Sequence, residues 1–108
     1  GDLTALYDLN APALLSDLPS SRRRIVVMNN GGGKIFSRLP SLAGLSHDEK
    51  VVTENHHSHD FAPWATMWGM NYYCWTGREP FPTLSESTCL IEIRPSCEET
   101  EAFWKDWV

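Results

Sequence analysis

A run of two asparagines and three glycines directly follows a short apolar segment, and this junction limits the possible folds more than any other feature. Residues 25–28 read Ile-Val-Val-Met, which is typical of a strand buried on both faces of a parallel sheet. Residues 29–33 cannot cheaply extend that strand or begin a helix, because glycine loses much conformational freedom on folding and asparagine favours turns. We therefore expect a buried strand that ends in a functional loop, where glycines let the backbone approach a bulky ligand.

Helical and strand-like patterns alternate along the rest of the chain. They predict helices over residues 7–18 and 60–69 and from about residue 98, a helical turn over 35–40, and strands over 70–75 and 89–93. Asp8 or Asn10 is expected to cap the first helix, and Asp60 the second, which Gly69 ends. The remaining residues up to 59 are polar and predict irregular structure. Together these elements imply an α/β fold, a three-layer parallel sheet with helices on both faces.

Composition excludes several classes of protein. Nine lysines and arginines against fourteen aspartates and glutamates give a net charge of -5, which argues against binding of a nucleic-acid backbone. No apolar run approaches the roughly 20 residues that cross a bilayer, and no signal peptide is evident, so we expect a cytoplasmic chain without membrane insertion. The three cysteines form no CxxC pair and are interpreted as ordinary reduced thiols.

Chemistry-bearing residues precede the first helix and follow the first strand. In parallel sheets ligands bind outside the carboxyl ends of strands, where Asp2 and the asparagine loop are both expected to lie. Carboxylate, amide and glycine carbonyl oxygens are the ligands that Mg²⁺ prefers. The helix start after Asp2 adds N–H groups that suit a diphosphate. We therefore expect Asp2 and an asparagine of the loop to share one Mg²⁺ ion.

The spacing of these two segments resembles a known cofactor motif. The 25 residues between Leu3 and Asn29 match the thiamine-diphosphate motif, in which Gly-Asp-Gly is followed by Asn-Asn. Residues 1–10 (GDLTALYDLN) and 29–40 (NNGGGKIFSRLP) resemble the menaquinone-pathway family of 2-succinyl-5-enolpyruvyl-6-hydroxy-3-cyclohexene-1-carboxylate synthases, which has leucine in place of the motif's third glycine. The resemblance implies that residues 1–108 are part of a thiamine-diphosphate-binding fold, namely a fragment of the diphosphate-binding domain of a larger enzyme.

The same resemblance implies roles for individual residues. Asp2, Asn30 and Gly32 are the expected metal ligands, although an alternative register assigns Asn29 and Gly31 instead. The residues expected to contact the cofactor are Gly1, Asp2, Leu3, Thr4, Asn30, Gly32, Ile35 and Phe36. Ile35 and Phe36 are equally compatible with a place in the core. Lys34 is expected either to meet a substrate carboxylate or, as the simpler interpretation, to be a solvated loop residue.

The reaction implied by the resemblance is the decarboxylation of 2-oxoglutarate with thiamine diphosphate and Mg²⁺, and addition of the resulting unit to isochorismate. The glutamate that activates the cofactor lies on a separate pyrimidine-binding domain, usually of the partner subunit in a homo-oligomer. We therefore expect no catalytic residue in this chain, and no turnover by it alone. Another thiamine-diphosphate-dependent 2-oxoacid decarboxylase or carboligase is the alternative.

Other clusters suggest competing functions. His47, His56, His57 and His59 with Asp60 are candidate zinc or nickel ligands, but only His57 and His59 should share a face of an extended segment. A nucleotide-binding module is disfavoured, because neither Gly-x-Gly-x-x-Gly nor a Gly-Lys-Ser/Thr ending is present. The five tryptophans are expected first in the core, with some exposed where neighbouring domains would pack.

Overall fold

The computed structural model describes residues 1–16, 18 and 22–107. Within these residues three strands, β1 (Arg24–Met28), β2 (Asn71–Trp75) and β3 (Cys89–Ile93), form one sheet in the order β1-β3-β2. Both pairings are parallel, and Leu90 lies between Ile25 and Tyr72. The chain is therefore an α/β protein with a parallel sheet flanked by helices, as the sequence predicts.

The described helical elements are α1 (Asp2–Tyr7), α2 (Ala13–Ser16), α3 (His47–Thr53), α4 (Ala62–Met67), α5 (Cys97–Trp107) and the 3₁₀ helices Lys34–Arg38 and Pro40–Leu42. The prediction of a single helix over residues 7–18 is wrong, because α1 and α2 are separate helices. α1 begins five residues earlier and ends at Tyr7, and Asp8 is its C-terminal cap, not an N-terminal cap. Pro12 has no amide hydrogen and its ring crowds the preceding turn, so one continuous helix cannot form there. Residue 17 lies outside the described residues.

α3 occupies a segment that the sequence pattern predicted to be irregular. Ser46 caps it: its side chain accepts a hydrogen bond from the Glu49 N–H at 3.3 Å, and Glu49 accepts one from the Ser46 N–H at 2.8 Å. This reciprocal capping box satisfies two N–H groups that have no partner within the helix. The Ser-x-x-Glu spacing in the sequence is the signal that identifies it.

α4 begins close to its predicted position. Its N-terminal cap is Phe61, one residue later than expected, although the Asp60 side chain accepts a hydrogen bond from the Ala62 N–H at 3.0 Å. After α4 ends at Met67, Gly69 takes a φ of +65°, a backbone conformation that glycine adopts easily and that redirects the chain towards β2.

The core lies between the sheet and two helices. α1 packs against β1 and α4 against β2, and the buried apolar residues of the cluster are Val27, Phe61, Trp64, Ala65, Met70 and Leu90. The prediction that the first strand is buried on both faces is wrong. Val26 and Met28 are 56% and 45% exposed whereas Val27 is buried, and because successive side chains of a strand point to opposite faces, only one face of β1 is well covered.

The tryptophans divide between core and surface. Trp64 is buried, and the indole N–H groups of Trp64 and Trp68 both donate to the Leu9 carbonyl, at 2.7 and 2.9 Å, fastening the segment after α1 onto α4. Trp104 and Trp107 lie exposed on α5, so the expectation of core positions holds only for part of the set. The cysteines, all within the described residues, are free thiols. No helix in the described part of the chain is both long and apolar enough to span a membrane.

Candidate functional site

Asp2 lies at the centre of the candidate site. It is the first residue of α1 and is only 3% exposed. Its Oδ2 accepts hydrogen bonds from the N–H groups of Gly31 and Gly32 at 3.0 and 2.9 Å, and its Oδ1 accepts one from the Leu3 N–H at 3.0 Å. The structure thus brings the two segments of the sequence motif into direct contact, at the end of the sheet where β1 stops.

The glycine loop packs tightly against the chain that follows α3. Gly31 and Gly32 have φ angles of +80° and +140°, which residues with a side chain rarely adopt. A Cβ atom at Gly32 would lie 2.7 Å from the Glu54 carbonyl oxygen and 3.1 Å from that of Asn55. Glycine is therefore required at position 32 because other backbone approaches it. The sequence analysis predicts instead that a bulky ligand approaches the backbone of this loop.

The two asparagines of the loop differ in their surroundings. Asn29 is 8% exposed; its Nδ2 donates to the His59 carbonyl at 2.9 Å and to Glu92 Oε2 at 3.2 Å, and its Oδ1 accepts from the Gly31 N–H at 3.2 Å. The side chain of Asn30 makes no hydrogen bond within the described residues and lines the two clefts beside the loop. Asn29 therefore builds the loop, whereas the Asn30 amide is available to a ligand.

His57 extends this contact from the other side. Its Nε2 lies 2.8 Å from Asp2 Oδ2, its backbone N–H donates to the Gly31 carbonyl at 3.2 Å, and its Nδ1 accepts from the His59 N–H at 3.1 Å. The rings of His57 and His59 stack at 5.6 Å, so these two residues share a face as predicted. The described residues contain no group of three His, Cys, Asp or Glu side chains placed to hold a metal, so the zinc or nickel alternative finds no ligand set there.

Lys34, Glu54 and His56 form a second polar cluster beside the loop. Lys34 Nζ lies 3.4 Å from Glu54 Oε2 and 3.0 Å from His56 Nε2, and His56 also contacts the Glu54 carboxylate. Burial raises the pKa of Glu54, but the hydrogen bond from His56 and the charge of Lys34 outweigh it and leave that pKa lowered. Lys34 is therefore paired with a buried carboxylate, while about a third of its side chain stays exposed to solvent.

Glu92 is a charged residue in the middle of the buried central strand, with no exposed surface. Its Oε1 accepts from the Phe61 N–H at 2.6 Å and the Tyr72 hydroxyl at 3.2 Å, and its Oε2 accepts from Asn29 and from Arg94 Nε. Burial and the Glu92 charge raise the pKa of Tyr72, and the hydrogen bond to Glu92 raises that of Arg94. Glu92 therefore anchors Asn29, and a glutamate inside an apolar strand is the sequence signal by which it was identifiable.

Two clefts lie beside the glycine loop. One, of about 330 Å³, is lined by Asn30, Lys34 and Glu54, and the other, of about 310 Å³, by Asn30, His57 and Arg94. Ile35 is 70% and Phe36 39% exposed, so neither is a core residue.

Among the motif's first residues, Gly1 is the N-terminal cap of α1, and Leu3 and Thr4 lie in its first turn. The Gly1 carbonyl accepts from the Ala5 N–H at 3.2 Å, and Leu3 binds the Asp2 carboxylate through its backbone. These residues therefore surround Asp2 at the start of the helix.

The oxygen atoms at the loop suit a hard divalent cation. Asp2 Oδ1 carries one hydrogen bond, the Asn30 amide carries none among the described residues, and the Gly32 carbonyl accepts one from the Lys34 N–H at 3.0 Å. Each of these oxygens keeps a lone pair, and carboxylate, amide and carbonyl oxygens are preferred by Mg²⁺. The donor set therefore fits the metal that the sequence motif implies.

Comparison with known proteins finds relatives that carry one name. The chain is 39% identical over 109 residues to the 2-succinyl-5-enolpyruvyl-6-hydroxy-3-cyclohexene-1-carboxylate synthase of Bdellovibrio bacteriovorus, covering 99% of this chain and 19% of that protein. It is 41% identical over 105 residues to the synthase of the same name from Akkermansia muciniphila, covering 94% of this chain and 20% of the relative. For the Cronobacter sakazakii synthase the identity is 49% over 72 residues, 67% of this chain and 12% of the relative. The chain thus spans about a fifth of the length of the first two relatives. No family model and no solved structure matches it.

Proposed function

We propose that this chain, which belongs to the 2-succinyl-5-enolpyruvyl-6-hydroxy-3-cyclohexene-1-carboxylate synthase family and spans about a fifth of its members' length, forms the part of such an enzyme that binds Mg²⁺ and a diphosphate. The observation that carries the proposal is the contact between the buried Asp2 carboxylate and the N–H groups of Gly31 and Gly32. This contact joins the two segments of the motif, which are far apart in sequence.

Asp2, Asn30 and Gly32 are the proposed metal ligands, and the surroundings of the asparagines favour this register over Asn29 and Gly31. The side-chain atoms of Asn29 are engaged by His59, Glu92 and Gly31, so recruiting them would dismantle the loop. Asn30 requires no such rearrangement. A buried, negatively charged Asp2 also provides the charge that a divalent cation needs beside neutral ligands.

The proposed cofactor is thiamine diphosphate, which when bound supplies the electron sink for decarboxylation of a 2-oxoacid. Gly1, Leu3 and Thr4 at the start of α1 and the exposed Ile35 and Phe36 after the loop are the proposed contact residues. The exposure of Ile35 supports this role, because an aliphatic side chain that leaves 70% of its surface open is available to cover a ligand.

The proposed substrates are 2-oxoglutarate and isochorismate, both carboxylates, in menaquinone biosynthesis. Lys34 lines the cleft that includes Asn30, and it is the cation that we expect a substrate carboxylate to meet. The activating glutamate is proposed to lie on a pyrimidine-binding domain of a partner subunit. This chain would then bind and orient the cofactor without catalysing the reaction by itself.

Tryptophan fluorescence of the purified chain, titrated with thiamine diphosphate with and without Mg²⁺, tests the binding proposal. We expect Mg²⁺-dependent binding that Asp2→Asn abolishes, since it removes the negative charge beside the cation, and that Asn30→Ala weakens roughly ten-fold or more, since it removes a ligand oxygen. Asp8→Asn and Asn10→Ala, at exposed positions of the same segment, are matched controls that should bind as the unaltered chain does. Binding that is independent of Mg²⁺ and Asp2, or a preference for ATP or NAD, would contradict the proposal.

A turnover assay tests the second part of the proposal. The chain alone, supplied with 2-oxoglutarate, isochorismate, thiamine diphosphate and Mg²⁺, is expected to form no product and release no CO₂. Product formation that Asp2→Asn abolishes would show that the chain carries its own catalytic groups, and would refute the requirement for a partner domain.

A further inference from the structure

The Asp2 carboxylate is bound unequally at its two oxygens. Among the described residues, Oδ2 contacts the N–H groups of Gly31 and Gly32 and the Nε2 of His57, whereas Oδ1 accepts a hydrogen bond only from the Leu3 N–H. The contact to His57 is the shortest of the four, at 2.8 Å. The N–H of Gly31 is shared with Asn29 Oδ1 at 3.2 Å, which weakens its bond to Asp2. Within the described residues, His57 is therefore the one side chain outside the loop that contacts Asp2 Oδ2.

The other nitrogen of the ring decides what His57 offers to Asp2. Nδ1 accepts a hydrogen bond from the His59 N–H at 3.1 Å, so it carries no proton in this arrangement. A neutral imidazole then has its hydrogen on Nε2, which donates to Asp2 Oδ2. The side chain of His57 is 7% exposed, so water competes little for either bond. An uncharged donor holds the carboxylate without adding a positive charge that would repel a cation.

We infer that His57 is a positioning residue, which turns Oδ2 of Asp2 towards the loop and leaves Oδ1 for the cation. This inference rests on the proposed function, because it assigns His57 a purpose at the same metal site. His57 also fastens the loop through its backbone bond to the Gly31 carbonyl, so its side chain is presented by the segment that shapes the loop. Groups that orient metal ligands typically change metal affinity by about ten- to a hundred-fold when removed.

Two amide substitutions at position 57 separate positioning from packing. In His57→Gln the side-chain amide reaches the position of Nε2 and can still donate to Asp2. In His57→Asn the shorter side chain can still accept from the His59 N–H but does not reach Asp2. Both variants are polar and uncharged and differ by one methylene group, and His47→Asn, at an exposed position, is the control.

The measurement is the dissociation constant of the purified chain for Mn²⁺, followed by electron paramagnetic resonance, with Mg²⁺ competition confirming the site. We expect His57→Asn to raise that constant about ten-fold or more, and His57→Gln and His47→Asn to stay within about three-fold of the unaltered chain. Nitrogen NMR of the metal-free chain should show a proton on Nε2 of His57 and none on Nδ1.

The outcomes distinguish this inference from the proposed function. Equal Mn²⁺ affinity in His57→Asn and the unaltered chain would overturn the inference alone. An equal loss of Mn²⁺ affinity in His57→Gln and His57→Asn would also overturn the inference, because the hydrogen bond from position 57 to Asp2 would then not set the affinity. A proton on Nδ1 would overturn it as well. Absence of Mn²⁺ and Mg²⁺ binding by the unaltered chain would overturn the proposed function and this inference with it.

Discussion

Replacing Glu92 by glutamine tests whether a buried carboxylate supports both the core and the candidate site. The substitution keeps the shape of the side chain but turns one of its acceptor oxygens into an NH₂ group. At the position of Oε1 this group would face the Phe61 N–H, a buried donor now 2.6 Å from its acceptor. At the position of Oε2 it would face Asn29, which keeps its bond to the His59 carbonyl, and Arg94, whose half-exposed side chain can turn to water.

The orientation with the NH₂ group at the position of Oε2 costs less stability, so it determines the change that we expect in the free energy of unfolding. It loses two hydrogen bonds to the carboxylate and leaves Phe61 bonded to a neutral oxygen. Hydrogen bonds to charged groups contribute roughly 1.5–3 kcal/mol and neutral ones about 1 kcal/mol, and Arg94 recovers part of its loss in water. We therefore expect Glu92→Gln to lower the free energy of unfolding by about 2–4 kcal/mol.

Urea unfolding followed by tryptophan fluorescence measures this change. If the free energy of unfolding decreases by about 2 kcal/mol for each molar of urea, the midpoint of the urea unfolding transition should fall by roughly 1–2 M. Glu98→Gln, at an exposed position on α5, is the matched control and should unfold with the unaltered chain. A Glu92→Gln midpoint that coincides with that control would show that the buried carboxylate contributes no net stability, and would refute the reasoning.

Three further predictions follow from single contacts. Gly32→Ala should lower the free energy of unfolding by about 3 kcal/mol or more in urea, because residue 32 has a φ of +140° and the new Cβ would lie 2.7 Å from a backbone oxygen. Gly44→Ala, with open space around it, is the control and should change the free energy of unfolding by less than about 1 kcal/mol. Ser46→Ala should lower stability by about 1 kcal/mol and reduce helix content by circular dichroism, since it removes a cap, and an unchanged midpoint would contradict that role. Because the pKa of Glu54 is lowered in the folded chain, the ionised carboxylate should stabilise the fold at neutral pH, and this stabilisation should disappear as the pH falls through the carboxyl range. Glu54→Gln should therefore make the free energy of unfolding less dependent on pH in this range. The same pH dependence in Glu54→Gln and the unaltered chain would contradict the role given to Glu54.

The sequence predicted the parts of the fold that local residue preferences control. The strand over residues 89–93 is confirmed with the same bounds, and residues 25–28 lie within β1, because valine and isoleucine favour an extended backbone. The helix over residues 7–18 failed because an apolar spacing was given more weight than Pro12. α3 was missed because the prediction for its segment rested on polar composition alone and did not consider the Ser46–Glu49 capping pattern.

Local patterns also located the candidate site in part. Asp2 and the glycine loop were predicted to meet, since the carboxyl ends of parallel strands share one end of a sheet and a loop of this composition has to turn there. The distinction between Asn29 and Asn30 stayed open in sequence, because two identical adjacent residues differ only in the partners that the fold brings to them.

Residue identity alone thus determined which segments turn, extend and carry acidic or amide oxygens, since these properties belong to single residues and their immediate neighbours. Tertiary structure alone decided that the His57 side chain, 55 residues further along the chain, contacts the Asp2 carboxylate, and that Glu92 anchors Asn29 across the sheet. The physical reason is that both contacts depend on the relative placement of elements distant in sequence. Core packing sets that placement, and no local pattern encodes the resulting distances.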